Sequence, residues 1–373
     1  MREILFVAGE TSGDINAAGV ARELKAAGAP FALVGVGGDR MAEAGVELIE
    51  HVRKLAVMGF GGLLKQLPRH WALLNEIRSR LHSGRVALVI LVDYGGFNLQ
   101  VAAAAKAARI LVLYYVTPQV WASRAGRIRD IAANVTKAAV IFQFEEELLR
   151  THGVDAVFVG NPLLERSREL PSRAEARAAL EIPAGRKLLS LFPGSRNQEI
   201  ERNLGPFMEA ARLVQVSDPS VDVRMSAAPG VSIDPRVTPF PVVRASSWTL
   251  LRAADVALCK SGTTTLEAAV AGCPFVIGYR ASAIDYAIAS RIATVRDIGM
   301  VNLIAGRRIV PEFVQDDLQP KPVAAELLAL LDPASQKRAT MLNGLAEVRA
   351  KLGTPGASKR VATMALELAT RAA

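Results

Sequence analysis

The sequence predicts an α/β protein made of two Rossmann-like, doubly wound parallel-sheet domains. Three observations carry that prediction. Short apolar runs alternate with helical patterns almost from end to end, the mark of βα units with right-handed crossovers. The chain is 51% hydrophobic but only 5% aromatic, which suits helices packed on parallel strands better than an all-β sandwich. Its 373 residues exceed one simple core and fit two domains of ordinary size.

In chain order, strands are expected at 4–8, 31–36, 86–92, 110–116, 138–142 and 156–159, then at 188–192, 221–226, 241–243, 256–260 and 275–278. Helical patterns fill the gaps, as at 14–27, 99–108 and 199–216. Pro162, Pro171 and Pro183 punctuate a charged stretch that reads as a hinge. It divides an N-terminal domain, 1–166, from a second domain, 167–345. After Pro333 the chain is helical and Ala-rich. In such folds ligands bind at strand C-termini, here expected to face a cleft between the domains.

No apolar run approaches the roughly 18 residues of a membrane span. The N-terminus MREILFVAGE passes directly into a strand and lacks the build of a signal peptide, which predicts a cytoplasmic protein. Cys259 and Cys273 lie in or beside apolar segments and read as reduced core residues. His51, His70, His82 and His152 lack metal-ligand spacing, so neither metal nor cofactor is expected. The net charge of +9 favours anionic partners such as phosphorylated small molecules or acidic lipid headgroups. Nucleic acid is the weakest of these, because no aromatic residues interleave with the basic ones.

Each strand-end loop then poses a choice between structure and chemistry. In VAGETSGD, Gly9 and Gly13 permit a tight turn, Ser12 or Asp14 can cap the next helix, and backbone N–H groups suit an anion. Glu10 would oppose phosphate there but could receive a sugar hydroxyl. In LVDYGGFN, Asp93 ends a buried strand. It is either a turn residue or a catalytic base with glycines leaving room for substrate. In LFPGSRNQEI, Ser195 and Gln198 form a potential capping box. Arg196 sits at the positive end of the helix dipole, where an anion would compensate its charge. Ser261, Gly262 and Thr263 can donate to phosphate; Glu267 can bind a ribose or pair with Thr264 as a capping box. Asn302 stands in an expected irregular loop. The segment AVMGFGGLLKQLPRHW, with Met58, Phe60, Leu63, Leu64, Lys65 and Trp71, reads either as core packing or as a surface entering an anionic leaflet.

Taken collinearly, AGETSGD, VGVGGDRMAEAG, LAVMGF, YYVTPQVWASR, VGNPLL, PGSRNQEI, SGTTTLEAA, VNLIAG and VPEFVQ resemble the lipid-A-disaccharide synthase family, inverting glycosyltransferases of the B-type (GT-B) two-domain fold. The resemblance implies a UDP-2,3-diacylglucosamine donor, a 2,3-diacylglucosamine 1-phosphate acceptor, and UDP with a β-1,6-linked disaccharide phosphate as products. It implies Asp93 as the base, and donor roles for Ser195, Arg196, Ser261, Gly262, Thr263, Glu267 and Asn302. Gly9, Glu10, Ser12, Asn98 and Gln119 fall to the acceptor or phosphate loops. Peripheral contact with the cytoplasmic face of an anionic inner membrane, a possible oligomer, and a final helix, 346–373, crossing back to the first domain are further expectations. The chain departs from the family's pattern at Gly62, Gly96, Ser123, Asn161 and Val301. Rival readings are a UDP-sugar transferase or epimerase with another acceptor, and a non-catalytic lipid- or sugar-nucleotide-binding relative.

Overall fold

Glu3–Ala8 (β1) is buried along its whole length, which requires cover on both faces and fits a central position in a parallel sheet. The computed structural model describes the chain outside residues 56–59, 122–125, 229, 283–285, 288–296 and 372–373, and describes the backbone alone at 60–67, 169 and 235. Around β1 stand Ala32–Gly37 (β2), Glu47–His51 (β3), Val86–Val92 (β4), Leu111–Tyr115 (β5), Lys137–Val140 (β6) and Ala156–Phe158 (β7). Their order is β3-β2-β1-β4-β5-β6-β7, and every neighbouring pair is parallel.

Alternation along the strands sorts the core into two layers. Leu5, Val7, Val89 and Leu91 pack with Leu73, Leu74 and Ile77 of the helix Phe60–Leu81 and with Val101 and Ala105 of the helix Gly95–Ala107. Ile4, Phe6, Leu88 and Ile90 face the helix Thr11–Ala26 and the final helix, Ala357–Arg371. The final helix approaches so closely that a Cβ on Gly19 would lie 2.5 Å from Ser358 Oγ. Ser358 in turn donates through its backbone N–H and its hydroxyl to Glu165, each at 2.7 Å.

A second unit, Arg166–Lys351, has its own sheet. Its strands are Lys187–Phe192 (β8), Val221–Ser226 (β9), Val242–Val243 (β10), Val256–Lys260 (β11), Phe275–Tyr279 (β12) and Glu312–Val314 (β13). They run β10-β9-β8-β11-β12-β13, again parallel throughout.

Several sequence expectations shift. β3 and β13 were not expected; both are short edge strands with polar residues, so neither carries an apolar run. The helices expected from 14, 99 and 199 begin at Thr11, Gly95 and Asn197, because each strand-end turn passes straight into helix. The first unit comprises Met1–Glu165 and Leu352–Ala373. The return falls at 352 rather than 346, since Met341, Leu345 and Val348 anchor the helix Gln336–Lys351 in the second unit.

One buried acid in the first unit is poised to titrate. Glu145, 3% exposed, accepts from the Trp121 indole N–H at 3.0 Å and from Phe142 N–H at 3.2 Å. Burial outweighs these bonds and pushes its carboxyl up to about 7. The folded value therefore exceeds the ordinary 4.5, and the stability this group contributes is lost as pH rises through about 7. Replacing Glu145 by Gln is expected to flatten the fall in unfolding free energy across that window, measured by urea titration. Trp121 fluorescence, isolated by Trp71→Phe and Trp248→Phe, should show a transition near pH 7 that the Gln variant lacks.

Candidate active site

In the first unit, the C-terminal end of β4 is built on strain. Asp93 and Tyr94 take φ of +55° and +52°, a left-handed conformation that costs a non-glycine residue about 1–2 kcal/mol. Val116, just past β5, is left-handed too. Compensating bonds converge on Asp93: its N–H donates to Tyr115 O at 3.2 Å, and its carbonyl accepts from Tyr114 Oη and Asn98 Nδ2, both at 2.8 Å. Asn98 Nδ2 also reaches Val7 O at 3.1 Å and Val92 O at 3.4 Å, tying β1 to β4. Asn98 was expected at the acceptor loop; fully buried, it is a brace beneath the acid instead.

With its main chain pinned, Asp93 presents its carboxylate at the strand end. Oδ1 accepts from Tyr94 N–H at 2.9 Å and Oδ2 from Ser12 Oγ at 3.3 Å. Burial raises its pKa against those two bonds, so the ionised form is a stronger base than a free carboxylate. Gly9 is required here: a Cβ would fall 2.0 Å from Cγ of Tyr94. The Tyr94 hydroxyl is hydrogen-bonded to His70 Nε2 and is pushed up to about 12 by burial and then by Glu10. It stays neutral at physiological pH.

The other first-unit expectations divide. Glu10 is exposed at the N-cap of the helix Thr11–Ala26, and Gln119 is exposed past β5. Neither Ser12 nor Asp14 caps that helix. Asp14, buried, instead accepts from the N–H groups of Gly38, Arg40 and Met41 at 2.7, 3.1 and 3.1 Å. It thus fills the anion-binding end of the helix Asp39–Glu43. Asn161 is buried and accepts from Leu163 N–H at 3.0 Å. Trp71 is 60% exposed with the Arg78 guanidinium 5.9 Å from its ring centre. Met58 lies outside the described residues, as do the side chains of Phe60, Leu63, Leu64 and Lys65.

The second unit gathers charge at the ends of the adjacent strands β8 and β11. Ser195 and Arg196 are exposed where the helix Asn197–Ser217 begins. The expected Ser195–Gln198 capping box is absent: Arg196 is the N-cap, without a side-chain cap, and Glu199 Oε2 accepts from Ser195 N–H at 3.0 Å. Glu199 Oε1 also meets Lys260 Nζ at 2.9 Å and Arg196 Nη1 at 3.6 Å. Glu199 and Lys260 are not among the expected site residues, and 61 residues separate them in sequence. Burial pushes Glu199 up, but Lys260, Ser195 N–H and Arg196 together hold it below its ordinary value.

Gly262 and Thr263 are exposed at the start of the helix Thr263–Ala271, which has no side-chain cap. Ser261 Oγ donates to Ile298 O at 2.9 Å. The alternative capping box of Thr264 with Glu267 does not form. Glu267, 7% exposed, accepts from Ser247 Oγ at 2.8 Å with Arg166 at 3.8 Å. Burial raises its pKa against both. Asn302 lies in a helix, Met300–Ala305, not an irregular loop. Its Nδ2 donates to Val310 O and Glu312 Oε1, and its Oδ1 accepts from Ile309 and Val310 N–H, at 2.7–2.9 Å. That leaves its side chain no hydrogen-bonding position for a nucleotide. It acts by framing: Glu312 receives Ile298 and Gly299 N–H, fixing the turn that receives Ser261. Among the described residues no cluster of His, Cys, Asp and Glu is arranged for a metal.

The family described as lipid-A-disaccharide synthetase matches residues 4–365. The chain belongs to this family. It is 36% identical to lipid-A-disaccharide synthase of Geobacter sulfurreducens, covering 98% of this chain and 97% of that protein. Identity to the Anaeromyxobacter dehalogenans synthase is 38%, over 96% of each chain. In fold it is similar to the calicheamicin glycosyltransferase CalG4, with a TM-score of 0.64 at 15% identity, covering 100% and 99% of the two chains. The two parallel-sheet domains are those of the GT-B glycosyltransferases, and the chain is a glycosyltransferase of lipid A biosynthesis.

Since Asp93 titrates above its ordinary value in the folded protein, its ionisation lowers stability as pH rises through the raised value. Asp93→Asn should therefore raise the melting temperature above neutral pH and leave it unchanged in acid, where both side chains are uncharged. Calorimetry at the two pH values checks this; a lower melting temperature at both would mean that the carboxylate's hydrogen bonds outweigh its burial.

Proposed function

We propose that this chain transfers a 2,3-diacylglucosamine unit from UDP to the 6-hydroxyl of 2,3-diacylglucosamine 1-phosphate, with inversion, releasing UDP. The observation that carries this is a single half-buried carboxylate, Asp93, held at a strained strand end in a member of the lipid-A-disaccharide synthetase family. Asp93 accepts the acceptor's hydroxyl proton as the oxygen attacks the anomeric carbon. The C1–O bond to the diphosphate breaks on the opposite face. Arg196 and the uncapped N-termini beside Ser195 and Gly262–Thr263 take up the charge that develops on departing UDP. Glu267 receives the ribose hydroxyls. Ser12 orients Asp93, and Glu10 and Gln119 contact the acceptor sugar.

The lipid nature of both substrates favours work at a membrane surface. Trp71 and its neighbouring Arg78 supply an amphipathic pair of the kind that settles at a headgroup boundary. Among the described residues no helix is long and apolar enough to cross a membrane. We assign the protein to peripheral contact with the cytoplasmic face of an anionic inner membrane.

The direct test is incubation with both lipid substrates and mass-spectrometric detection of disaccharide phosphate and UDP. Donor hydrolysis or epimerisation without disaccharide would defeat the proposal. Asp93→Asn is expected to lower kcat by roughly 10²–10⁴-fold with UDP affinity unchanged. Arg196→Ala should weaken UDP binding by about 1.5–3 kcal/mol, the scale of a charged hydrogen bond. Calorimetric titration with UDP separates the two effects, and equal UDP affinity in Arg196→Ala and wild type would exclude Arg196 from the donor site.

A further inference from the structure

Lys260 is the last residue of β11, a position where a parallel strand ordinarily passes from core to loop. Its side chain is only 18% exposed, yet it is cationic, in a strand whose preceding four residues are all buried and apolar. Two restraints fix it: the Glu199 carboxylate at 2.9 Å and the face of the Tyr279 ring, 5.3 Å from its ammonium. The ammonium also lies 3.7 Å from where a Cβ on Gly262 would stand. It therefore overhangs the Ser261–Thr263 turn.

The charge count decides what this arrangement is for. Arg196 and Lys260 both approach the same oxygen of Glu199, at 3.6 and 2.9 Å. Among the described residues one carboxylate stands between these two cations and leaves a surplus positive charge, and Glu199 already uses its other oxygen on Ser195 N–H. A buried ion pair is favourable only when its charges are matched, and Lys260, 18% exposed, already has its match in Glu199; the exposed Arg196 is the surplus charge. A site that must receive a diphosphate needs a surplus, together with a counter-ion that holds the cations in place until the ligand arrives.

We propose that Lys260 is a second phosphate-binding cation of the donor site, held by Glu199 in the unliganded protein and released towards the diphosphate when the sugar nucleotide binds. This rests on the donor-site reading above and deepens it. Lys260 contacts the diphosphate that uridine lacks, so its effect grows with the number of phosphates. Glu199 is the positioning residue for both cations and competes with the ligand for them.

The test compares uridine, UMP and UDP by calorimetric titration at two salt concentrations. Lys260→Met keeps the aliphatic stem; it is expected to weaken UDP roughly 10- to 100-fold and uridine less than about twofold, with a shallower salt dependence. Lys260→Arg should restore most of the UDP affinity. Glu199→Gln, which keeps the bond from Ser195 N–H, should bind UDP as tightly as wild type or more so. Uniform loss for all three ligands in Lys260→Met, matched by the same loss in Glu199→Gln, would show a structural ion pair and overturn the assignment. So would UDP affinity in Lys260→Met equal to wild type. If wild-type protein itself bound UDP no better than uridine, the donor-site reading would fall and this inference with it.

Discussion

The carbonyl oxygen of Asp93 accepts two hydrogen bonds, from Tyr114 Oη and Asn98 Nδ2, and the first unit's chemistry depends on them. Without them, two successive left-handed side-chain-bearing residues would relax towards the ordinary right-handed region. The carboxylate would then turn away from Ser12. Both donors come from elements that the sheet itself fixes, one from β5 and one from the first turns of the helix after β4. The geometry of the acid is thus a property of strand order. Burial adds the second half: the packing that holds Asp93 also raises its pKa, giving a carboxylate better matched to accept a proton from an alcohol.

The second unit solves the opposite problem. There, on the proposed donor-site reading, the ligand brings the negative charge, and the protein must keep cations together without it. Glu199 does this by standing between Arg196 and Lys260 and by receiving Ser195 N–H. Close approach makes the arrangement possible, since a side chain on Gly194 would put its Cβ 2.6 Å from that of Glu199.

Much of this was legible from residues alone. Alternating apolar runs gave both sheets apart from the polar edge strands β3 and β13, where burial on one side leaves no continuous signal. Asp93 closes a fully buried strand, where a turn residue and a base read alike, and the family resemblance is what favours the base. The helix starts were less accessible. Both capping boxes read from Ser195 and Thr264 were plausible spacings that the structure does not use. Spacing specifies which groups can meet, whereas long-range partners decide which do: Lys260 lies 61 residues from Glu199, and no local pattern announces that pair.

The motif residues themselves fall into two physical kinds. Asp14, Asn98, Asn161 and Asn302 are buried polar groups whose hydrogen bonds go to backbone amides and carbonyls, with one from Asn302 to the Glu312 carboxylate. Asp93, Arg196 and Glu267 keep charge that nearby groups answer only in part. Both kinds would be equally sensitive to substitution, but for different reasons. Losing a framing amide leaves several backbone groups unsatisfied, at about 1–3 kcal/mol each, and is felt as stability. Losing a contact residue removes an energetic burden from the free protein, so stability holds or rises while turnover falls. Opposite signs in stability therefore sort a motif into its frame and its chemistry, and the strained, half-buried Asp93, whose burial raises its pKa, is expected on the chemical side of that division.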